Sequence, residues 1–541
     1  DGVAFTHEDK PQLAPFIEEV LGLKVGPVTA SPPHLEDFGV PESRLPDALR
    51  AGLERAVGPG FVSDDALDRV VHARGKSLRD LIRQRRGEFA RIADVVVRPG
   101  DEDEVAETVR VAVKFDAVVI PFGGGSSISG SLEAPESEPR PIVSLDMARL
   151  DRVLGIDAQS RLARVQAGVA GPALERQLVA QGYTLGHFPD SFTNSTLGGW
   201  IATRSSGMQS DRYGDVADLT KGVRVVTPSG TLVARPVPAA STGPSVIQMV
   251  LGSEGRLGVI TEATVQVHRL PERRTILGYL FPTFADGLEA MREITSSECS
   301  VSVTRVSDAP ETRFSFATRR RPTLVDKLQS RALHEFLQRR LHFDLDEMSL
   351  SFIGYEGSSG HVARQRMAVG RIVKRHGGLC IGSGPGALYD QKKFDTPYIR
   401  DFLLDRGGAG DVSETAMPWS RLLPVYDAVS GAARGAFAQV GVKGHLMCHL
   451  SHSYHAGACL YFTFAFVPPS GGDMLAGYDV VKSAIQQSFV DNGATLSHHH
   501  GVGTEHARWL EQDISAPGVA MLRALFEGTD PGHHMNPGKI V

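Results

Sequence analysis

The sequence predicts an α+β protein with more than one domain. Its 541 residues exceed what one hydrophobic core supports, so we expect roughly two to four domains. Short valine-rich strand patterns alternate with amphipathic helix patterns after residue 90. Glycine-rich loops interrupt this alternation at three separate places. These observations indicate crossover units of strand and helix whose loops are candidates for ligand contact.

The composition excludes bulk electrostatic attraction to nucleic acid or to an anionic membrane. The chain carries 57 Lys and Arg residues against 63 Asp and Glu residues, for a formal net charge of -6. Its four cysteines are scattered and lack CxxC spacing, which favours reduced thiols and an intracellular setting. No stretch reaches the roughly 18 uninterrupted apolar residues that a membrane-spanning helix needs. Any anion that the protein binds must therefore be held by a local site.

The first crossover unit follows a helical preface. Residues 1 to about 90 alternate proline-rich loops with helical patterns. ADVVVRP, residues Ala93–Pro99, has the pattern of a strand, and Asp101 has the chemistry of a helix cap. The predicted helix places four apolar residues on one face: Val105, Val109, Ala112 and Phe115. A second strand then leads into a glycine loop within Ala117–Gly130, AVVIPFGGGSSISG.

This glycine loop fits neither of the two common phosphate-binding patterns. Gly125 and Gly130 have the spacing of a P-loop, but Ser131 stands where a nucleoside triphosphatase needs a lysine. Gly123 and Gly125 match the start of a dinucleotide fingerprint, but its third glycine is replaced by Ile128. Successive glycines and serines still allow backbone N–H groups to surround an anion. A flexible surface loop is the alternative for this segment taken alone.

Further elements of the same kind follow along the chain. Gln166–Gly171 runs from a strand into a tight turn, and a helix is predicted from Pro172. Pro189–Leu219 is a long polar loop rich in Gly, Ser and Thr, and loops of that length inside a domain are usually functional. Val223–Val233 has the pattern of two strands around a Pro-Ser-Gly turn. Leu251–Glu272 contains another glycine loop that ends in a strand.

Three of these segments, taken in order, carry a resemblance to a known family. PFGGGSSISG, PDSFTNSTLGGWIATRSSGMQSDRYGD and LGSEGRLGVITEATV resemble the FAD-binding domain of the vanillyl-alcohol oxidase/p-cresol methylhydroxylase flavoprotein superfamily, from about Asp94 to Leu270. The resemblance implies that the first two segments hold the FAD diphosphate and that Gly255–Ile260 passes the ribityl chain and the isoalloxazine ring. It also implies a two-subdomain FAD-binding domain of the vanillyl-alcohol oxidase type, followed by an α+β substrate (cap) domain. The GGGSS loop offers no histidine or cysteine for a covalent bond, so we expect noncovalent FAD.

The resemblance also gives the candidate cofactor residues and the domain boundaries. The cofactor residues it implies are Pro121, Gly123, Gly124, Gly125, Ser126, Ser127, Pro189, Asp190, Ser195, Thr196, Gly199, Ala202, Thr203, Glu254, Gly258 and Ile260. The domains expected are an N-terminal helical segment (1–90), an FAD-binding domain (91–271), a substrate domain (272–485) and a C-terminal return to the FAD domain (486–541). Within the substrate domain, the apolar stretch Leu446–Val467 is a candidate tunnel lining, with a plain core as the alternative.

SHHHGVG, residues Ser497–Gly503, raises the question of a metal site. On an extended segment His498 and His500 share a face and His499 points the other way, so a metal pair is conceivable. The flanking glycines suggest backbone held close to a ligand. Metal-using 2-hydroxyacid dehydrogenases of the superfamily carry G-E-H-G-I-G, and here His499 stands in place of the glutamate. Because a cation would lose that carboxylate ligand, we expect no metal.

A second resemblance assigns the chemistry. SHHHGVG, ACLYFTF, YIRDFLLDRG and SETAMPW resemble segments of the alkyldihydroxyacetonephosphate synthase family, flavoenzymes of ether-lipid synthesis. The resemblance implies exchange of the acyl group of acyl-dihydroxyacetone phosphate for a fatty alcohol, with flavin N5 as a nucleophile and no net redox. It implies that Tyr461 moves a C1 proton, that Arg400 holds the departing carboxylate, and that His498, His499 and His500 serve phosphate binding and proton transfer.

Other readings of these residues and of the function remain open. Without the resemblance, Tyr461 in an apolar strand is more often core, and Arg400 on a helix is more often a surface ion pair. As a base, Tyr461 needs nearby cations to lower its pKa from about 10, and the histidines are candidates for that charge. Thr504 and Glu505 stand where the family tends to carry a basic residue, which weakens the expected phosphate contact. The alternative function is an FAD-dependent dehydrogenase or oxidase of a 2-hydroxy acid or alcohol.

The expected partners and location follow from the same reasoning. We expect small-molecule lipid substrates, a homodimer and no nucleic acid. The C-terminal sequence NPGKIV is not a peroxisomal S-K-L signal, so a cytoplasmic location is expected. Peripheral contact of Arg319–Arg321 with a phospholipid surface is an open alternative to an ordinary solvated charge cluster.

Overall fold

The structure is a computed structural model that describes residues 5–28, 34–320, 335–392 and 398–541. The chain divides into two compact units. The glycine-loop unit consists of Pro32–Gly207, Tyr213–Leu270 and Leu496–Val541. The large-sheet unit consists of Asp1–Ser31, Met208–Arg212 and Pro271–Thr495. The predicted helical preface is therefore shared between the two units instead of forming a body of its own.

The glycine-loop unit contains a mostly parallel sheet and an antiparallel sheet. Its strands are β1 (Val62–Ser63), β2 (Val95–Val97), β3 (Val118–Phe122), β4 (Ile142–Asp146), β5 (Val153–Asp157), β6 (Leu162–Gln166), β7 (Tyr183–Thr184), β8 (Thr220–Thr227), β9 (Gly230–Ala234), β10 (Val259–Gln266) and β11 (His268–Arg269). The first sheet has the order β1-β2-β4-β3, in which β4 pairs in parallel with β2 and β3. The second has the order β5-β6-β10-β8-β9 and is antiparallel throughout. β7 and β11 form a separate antiparallel pair.

The helices of this unit include the one predicted after Asp101. They are Asp47–Val57, Ala66–Val71, Leu78–Arg85, Glu102–Lys114, Gly171–Val179, Leu197–Thr203, Val216–Leu219, Val246–Val250 and Leu510–Thr529, with 3-10 turns at Leu35–Asp37, Pro59–Phe61 and Ala507–Trp509. Asp101 caps its helix as predicted, because its side chain accepts a hydrogen bond of 2.9 Å from the Glu104 backbone N–H. Val105, Val109 and Ala112 are buried against the parallel sheet in one core cluster. This packing fixes β3, and therefore the start of the glycine loop that follows it.

The large-sheet unit is built on one seven-stranded antiparallel sheet. Its strands are β12 (Arg273–Phe281), β13 (Val303–Ser307), β14 (Ser349–Gly357), β15 (Leu379–Gly382), β16 (Ala409–Pro418), β17 (Gly444–Ser453) and β18 (Gly457–Phe466). The order across the sheet is β15-β12-β14-β13-β17-β18-β16. Helices in this unit are Leu13–Leu21, Phe284–Ser296, Ala309–Ala317, Ser359–Arg375, Ser383–Lys392, Tyr398–Leu404, Leu422–Val440 and Met474–Asp491, with a 3-10 turn at Trp419–Arg421; a further short helix, Ser210–Tyr213, begins in its segment Met208–Arg212.

The apolar stretch Leu446–Val467 forms ordinary sheet core. Phe462, Phe464 and Phe466 alternate along β18 and are fully buried. The residues that alternate with them, Tyr461, Thr463 and Ala465, are only partly buried because they point to the other face of the sheet. The tunnel expectation for this stretch therefore gives way to the plain-core alternative. The same alternation places Tyr461 away from the phenylalanines.

Two further expectations concern membranes. Within the described ranges, no helix combines the length and the apolar character that crossing a membrane requires. Arg321 of the expected basic cluster lies outside the described residues.

Candidate active site

The two glycine-rich segments predicted to hold a diphosphate lie against each other. A Cβ atom added at Gly124 would lie 1.5 Å from the backbone oxygen of Asn194. A Cβ atom added at Gly123 would lie 2.4 Å from Oγ1 of Thr196. Only glycine permits so close an approach of the two backbones. The structure therefore brings together two of the three segments that the sequence identified.

The first loop presents a run of backbone N–H groups. None of the described residues accepts a hydrogen bond from the backbone N–H groups of Gly123–Ile128. Gly125 has a φ of 65°, the left-handed conformation that turns successive amides toward one point. Ser126 and Ser127 are only partly buried, so their hydroxyls remain accessible. Such a nest suits an anion, and the diphosphate of FAD is the anion predicted there.

The second segment uses its hydroxyls mainly to hold its own shape. Ser195 Oγ accepts a hydrogen bond of 2.7 Å from Trp200 Nε1 and donates one of 2.9 Å to the Ser191 backbone oxygen. Thr196 Oγ1 accepts from the Gly199 backbone N–H at 3.3 Å and so caps the short helix Leu197–Thr203. Thr203 Oγ1 donates to the Gly199 backbone oxygen at 3.0 Å. These side chains shape one wall of the predicted cofactor cradle, which consists of the loop Gly123–Ile128 and this second segment. Their contact with a cofactor stays a prediction.

The remaining cofactor candidates fall on the same unit. Pro121 lies on β3 next to Gly255, where an added Cβ would be 3.2 Å from the Pro121 ring. Gly258 has a φ of 141° and approaches the Val226 backbone oxygen, which an added Cβ would meet at 2.3 Å. Ile260 is buried in β10. Two further candidates, Pro189 and Asp190, stand at the start of Pro189–Leu219, which was predicted as a loop but contains three short helices; Asp190 is exposed.

Glu254 ties the third glycine loop to the histidine segment. Its carboxylate accepts hydrogen bonds from the backbone N–H groups of Val502 at 2.6 Å and Gly503 at 2.9 Å, and from Ser131 Oγ at 2.5 Å. Its own backbone N–H donates to the Ala202 oxygen at 2.9 Å. Burial raises the pKa of Glu254, although these donors act in the opposite direction. Glu254 was predicted as a cofactor residue, and its side chain is engaged with protein groups.

The three histidines are grouped, which corrects the alternating arrangement expected of an extended segment. The rings of His498 and His499 touch, with their Nδ1 atoms 2.8 Å apart. The ring centroids of His499 and His500 are 4.4 Å apart. The reason is a turn in which Ser497 Oγ accepts from the His500 backbone N–H at 3.2 Å, so the segment is bent and not extended. All three imidazoles therefore form one cluster.

The glycines after the histidines meet protein instead of a ligand. An added Cβ at Gly503 would lie 1.9 Å from the Ser129 backbone oxygen, and one at Gly501 would lie 3.0 Å from the Glu254 carboxylate. The Ser129 oxygen also accepts the backbone N–H of Thr504 at 3.0 Å. The close approach that the sequence suggested is real, but its partner is the segment after the first glycine loop. This packing places the histidine cluster and the glycine loops on one unit.

Two residues of the C-terminal segment complete this arrangement and were missed from the sequence. Asn536 Nδ2 donates to the backbone oxygens of Glu254 at 2.6 Å and Ser131 at 3.0 Å. Lys539 is fully buried, and burial lowers its pKa to about 8 against the opposing effects of Glu133 and Glu254. The sequence signal for this segment was its predicted return to the FAD domain. No local pattern in NPGKIV identifies the residues that Asn536 and Lys539 contact.

In the large-sheet unit, Tyr461 stands in a row of polar side chains. In the strand register Tyr461 of β18 lies opposite His449 of β17 and Glu414 of β16. Directly opposite residues of antiparallel strands project to the same face. The rings of His449 and Tyr461 stack, with centroids 4.9 Å apart and planes 23° apart. Tyr461 therefore lies beside titratable groups on the face away from the phenylalanine core.

His449 is held by a buried carboxylate. Glu311 Oε2 lies 2.8 Å from His449 Nδ1, and Glu311 Oε1 accepts from Arg305 Nη2 at 2.6 Å. Burial raises the pKa of Glu311, but the charges of His449 and Arg305 outweigh it and lower the pKa to about 2. The carboxylate is therefore ionised at neutral pH. Neither Glu311 nor Arg305 was identified from the sequence, because their nearness depends on strand pairing.

Arg400 is placed apart from Tyr461. Its Nη1 lies 3.5 Å from Oδ1 of Asp411, whose other oxygen accepts from the Tyr478 hydroxyl at 2.9 Å. Asp411 lies opposite Phe464 in the strand register, so it belongs to the phenylalanine face. Arg400 Nε is buried and has no hydrogen-bond partner among the described residues. The structure thus brings His449 to Tyr461, but it does not bring Arg400 there.

The comparisons with known proteins agree with the predicted fold and with the predicted cofactor. A family model described as an FAD binding domain matches residues 93–234, and one described as the C-terminal domain of FAD linked oxidases matches residues 270–540. A solved p-cresol methylhydroxylase structure shares the fold at a TM-score of 0.67 and 14% identity, covering 91% of this chain and 96% of that one. These matches confirm the predicted vanillyl-alcohol oxidase type of fold and the prediction of FAD.

Closer relatives are named synthases. The alkyldihydroxyacetonephosphate synthase of Dictyostelium discoideum is 39% identical over 534 residues, which is 99% of this chain and 85% of that protein. A solved alkyldihydroxyacetonephosphate synthase structure matches with a TM-score of 0.84 and 37% identity, covering 97% of this chain and 92% of that one. The chain belongs to the alkyldihydroxyacetonephosphate synthase family.

Proposed function

We propose that this protein is an FAD-dependent alkyl transferase that exchanges the acyl group of acyl-dihydroxyacetone phosphate for a fatty alcohol without net redox. Family membership along 99% of the chain supports this activity. The structural observation that carries it is the position of Tyr461. An apolar strand would ordinarily bury a tyrosine in core, but Tyr461 lies between His449 and Glu414 on the polar face of the sheet.

The glycine-loop unit binds the cofactor in this proposal. The free N–H groups of Gly123–Ile128 hold the diphosphate, and the glycines exclude side chains from its path. Glu254 fixes the histidine segment to the same unit through the backbone of Val502 and Gly503. When bound, the flavin supplies a nucleophilic nitrogen, N5. Noncovalent attachment remains our expectation.

The residues of the chain handle protons and anions. Tyr461 Oη takes the proton from C1 of the substrate and later returns one, because a proton next to a carbonyl needs a base within hydrogen-bond reach. The clustered imidazoles of His498, His499 and His500 bind the phosphate and transfer protons. Arg400 stays our prediction for the residue that holds the departing carboxylate, although its guanidinium pairs with Asp411 on the phenylalanine face and not with the polar row at Tyr461.

The dehydrogenase alternative receives less support from the histidines of β17. The superfamily members that use a metal carry H-L-G-D-G-N-L-H, a pattern that CHLSHSYH does not keep. His449, the first histidine of this stretch, is committed to Glu311, and its Nδ1 lies 3.2 Å from Arg305 Nη2. A guanidinium at that distance repels a metal cation. Dehydrogenase activity is therefore kept as the contradicting outcome of the experiment that follows.

The test is anaerobic mixing of the FAD-loaded protein with each candidate substrate. Acyl-dihydroxyacetone phosphate with a fatty alcohol should give the alkyl product and free fatty acid, and the oxidised flavin spectrum should be restored at the end. Lasting bleaching by a 2-hydroxy acid, with no alkyl product, would contradict the transferase. Tyr461→Phe should abolish turnover while FAD content stays normal. Tyr279→Phe is its matched control, because Tyr279 is a buried tyrosine of the same sheet whose hydroxyl bonds to the Tyr355 hydroxyl at 2.6 Å.

A further inference from the structure

A buried carboxylate sets the orientation of the ring that lies against Tyr461. Glu311 is placed at the start of the helix Ala309–Ala317, where Asp308 caps the helix by accepting the Glu311 backbone N–H at 2.8 Å. The other oxygen of Asp308 accepts the Cys448 backbone N–H at 2.9 Å. Because Cys448 precedes His449 in β17, one capping residue fixes the backbone on both sides of the Glu311–His449 pair.

The hydrogen bonds of Glu311 determine which nitrogen of His449 carries a proton. An ionised carboxylate only accepts, so His449 Nδ1 must donate across the 2.8 Å separation from Glu311 Oε2. Glu311 Oε1 is occupied by Arg305 Nη2 at 2.6 Å and by Ser307 Oγ at 3.1 Å. The carboxylate therefore cannot rotate to release the imidazole. The ring plane of His449 is fixed, and Tyr461 stacks on that ring.

We propose that Glu311 is a positioning residue for proton transfer at Tyr461, acting through the ring of His449. This inference rests on the proposed function, because it presumes that Tyr461 is the acid/base. Arg305 and Ser307 hold the carboxylate, the carboxylate holds the imidazole, and the imidazole holds the phenol ring. A phenol held in one orientation delivers its oxygen to the reacting carbon without a search among rotamers.

The charges that surround Tyr461 give this arrangement an electrostatic signature. Among the described residues, the titratable and charged groups on the neighbouring elements include His449 and His452 of β17, Cys459 of β18, Glu414 of β16, Arg305 of β13 and Glu311 of the helix. Glu311 contributes a negative charge, which opposes ionisation of a nearby phenol. Replacing Glu311 by glutamine removes that charge but keeps the size of the side chain and one acceptor oxygen. The phenol should then ionise at lower pH, while its orientation becomes less well defined.

The experiment compares Glu311→Gln with wild type and with Glu356→Gln, all loaded with FAD. Glu356 is the matched control because it is also a buried carboxylate of this sheet bonded to an arginine, Arg274 at 2.8 Å. We expect Glu311→Gln to lower kcat about tenfold or more with KM for the acyl substrate little changed, since the loss concerns proton transfer. We also expect the pH profile of kcat to move to lower pH. Glu356→Gln should keep both kcat and the profile.

A second variant and a second readout separate the inference from the proposed function. His449→Phe keeps a ring against Tyr461 but loses Nδ1, so it should lose kcat as Glu311→Gln does. Nitrogen NMR of the imidazole should show Nδ1 protonated in wild type and a mixture of tautomers in Glu311→Gln. Equal kcat and an unshifted profile in Glu311→Gln, or a wild-type His449 protonated only at Nε2, would overturn the inference. Absence of turnover in wild type with the expected tautomer would instead count against the proposed function alone.

Discussion

The carboxylate of Glu254 accepts a hydrogen bond from the backbone N–H of Gly503, with Oε2 2.9 Å from the nitrogen. These residues are separated by 249 positions in the sequence. The contact joins the third glycine loop to the segment that carries the three histidines, within one compact unit. The Glu254 side chain therefore contributes to the placement of the histidine cluster relative to the flavin cradle, together with the packing of Gly503 and Thr504 against Ser129.

Removal of this side chain should loosen the histidine segment and the cradle together. Glu254→Ala leaves the buried N–H groups of Val502 and Gly503 without an acceptor, at a cost of about 1 to 3 kcal/mol for each unsatisfied group. We expect the thermal unfolding midpoint to fall by several degrees and the ratio of flavin to protein absorbance to fall with it. Glu262→Ala is the matched control, because Glu262 is half-buried and its ion-pair partner Arg164 is exposed, so the pair contributes little. Normal FAD content in Glu254→Ala would contradict this role.

The contact between the two glycine-rich segments predicts a strict requirement at Gly124. A methyl group there would lie 1.5 Å from the Asn194 oxygen, and backbone cannot yield by the rotation of a side chain. We expect Gly124→Ala to lose most of its FAD, measured by absorbance after gel filtration. Gly155→Ala serves as control, since a Cβ at Gly155 meets no atom within 4 Å. Equal flavin content in the two variants would show that the segments are not packed as described.

The parts of the fold that the sequence predicted are those determined by neighbouring residues. Asp101 was predicted as a cap because a short acidic side chain precedes an amphipathic pattern, and it caps the helix. The Pro-Ser-Gly turn was predicted between two strands, and β8 and β9 pair around it. The order of three glycine segments identified the flavin fold, because each needs glycine where backbones meet.

Contacts between distant segments were not predictable in the same way. Nothing around Glu311 marks it as the partner of His449, because the pairing of β13 with β17 brings them together. The grouping of the three imidazoles was predicted wrongly, since the extended geometry assumed for Ser497–Gly503 is replaced by a turn. The local pattern around Tyr461 favoured the core, because a tyrosine in an apolar strand is more often core, and only the family resemblance pointed to a role in the site.

The pKa of Glu311 sets how acid changes the stability of the large-sheet unit. Burial raises this pKa, but His449 and Arg305 lower it overall from 4.5 to about 2. Since the folded-state pKa lies below the unfolded one, ionised Glu311 stabilises the fold above pH 4.5, and this contribution is lost as the pH falls toward 2. We expect wild type to lose up to about 3 kcal/mol more than Glu311→Gln across this window. Urea unfolding at several pH values measures the difference, and parallel losses would contradict the assignment.

Variants of Arg400 can distinguish a role in binding the substrate carboxylate from a role in stabilising the fold. Its Nη1 pairs with Asp411 at 3.5 Å, which a lysine also permits, but lysine cannot offer the planar pair of donors that matches a carboxylate. If Arg400 binds the departing carboxylate, Arg400→Lys should raise KM for the acyl substrate about tenfold or more and leave the unfolding midpoint within a degree or two. Asp411→Asn is the companion variant, because it removes the ion pair while the guanidinium remains. A lower unfolding midpoint in Arg400→Lys with unchanged KM would assign Arg400 to the fold and leave the carboxylate to another residue.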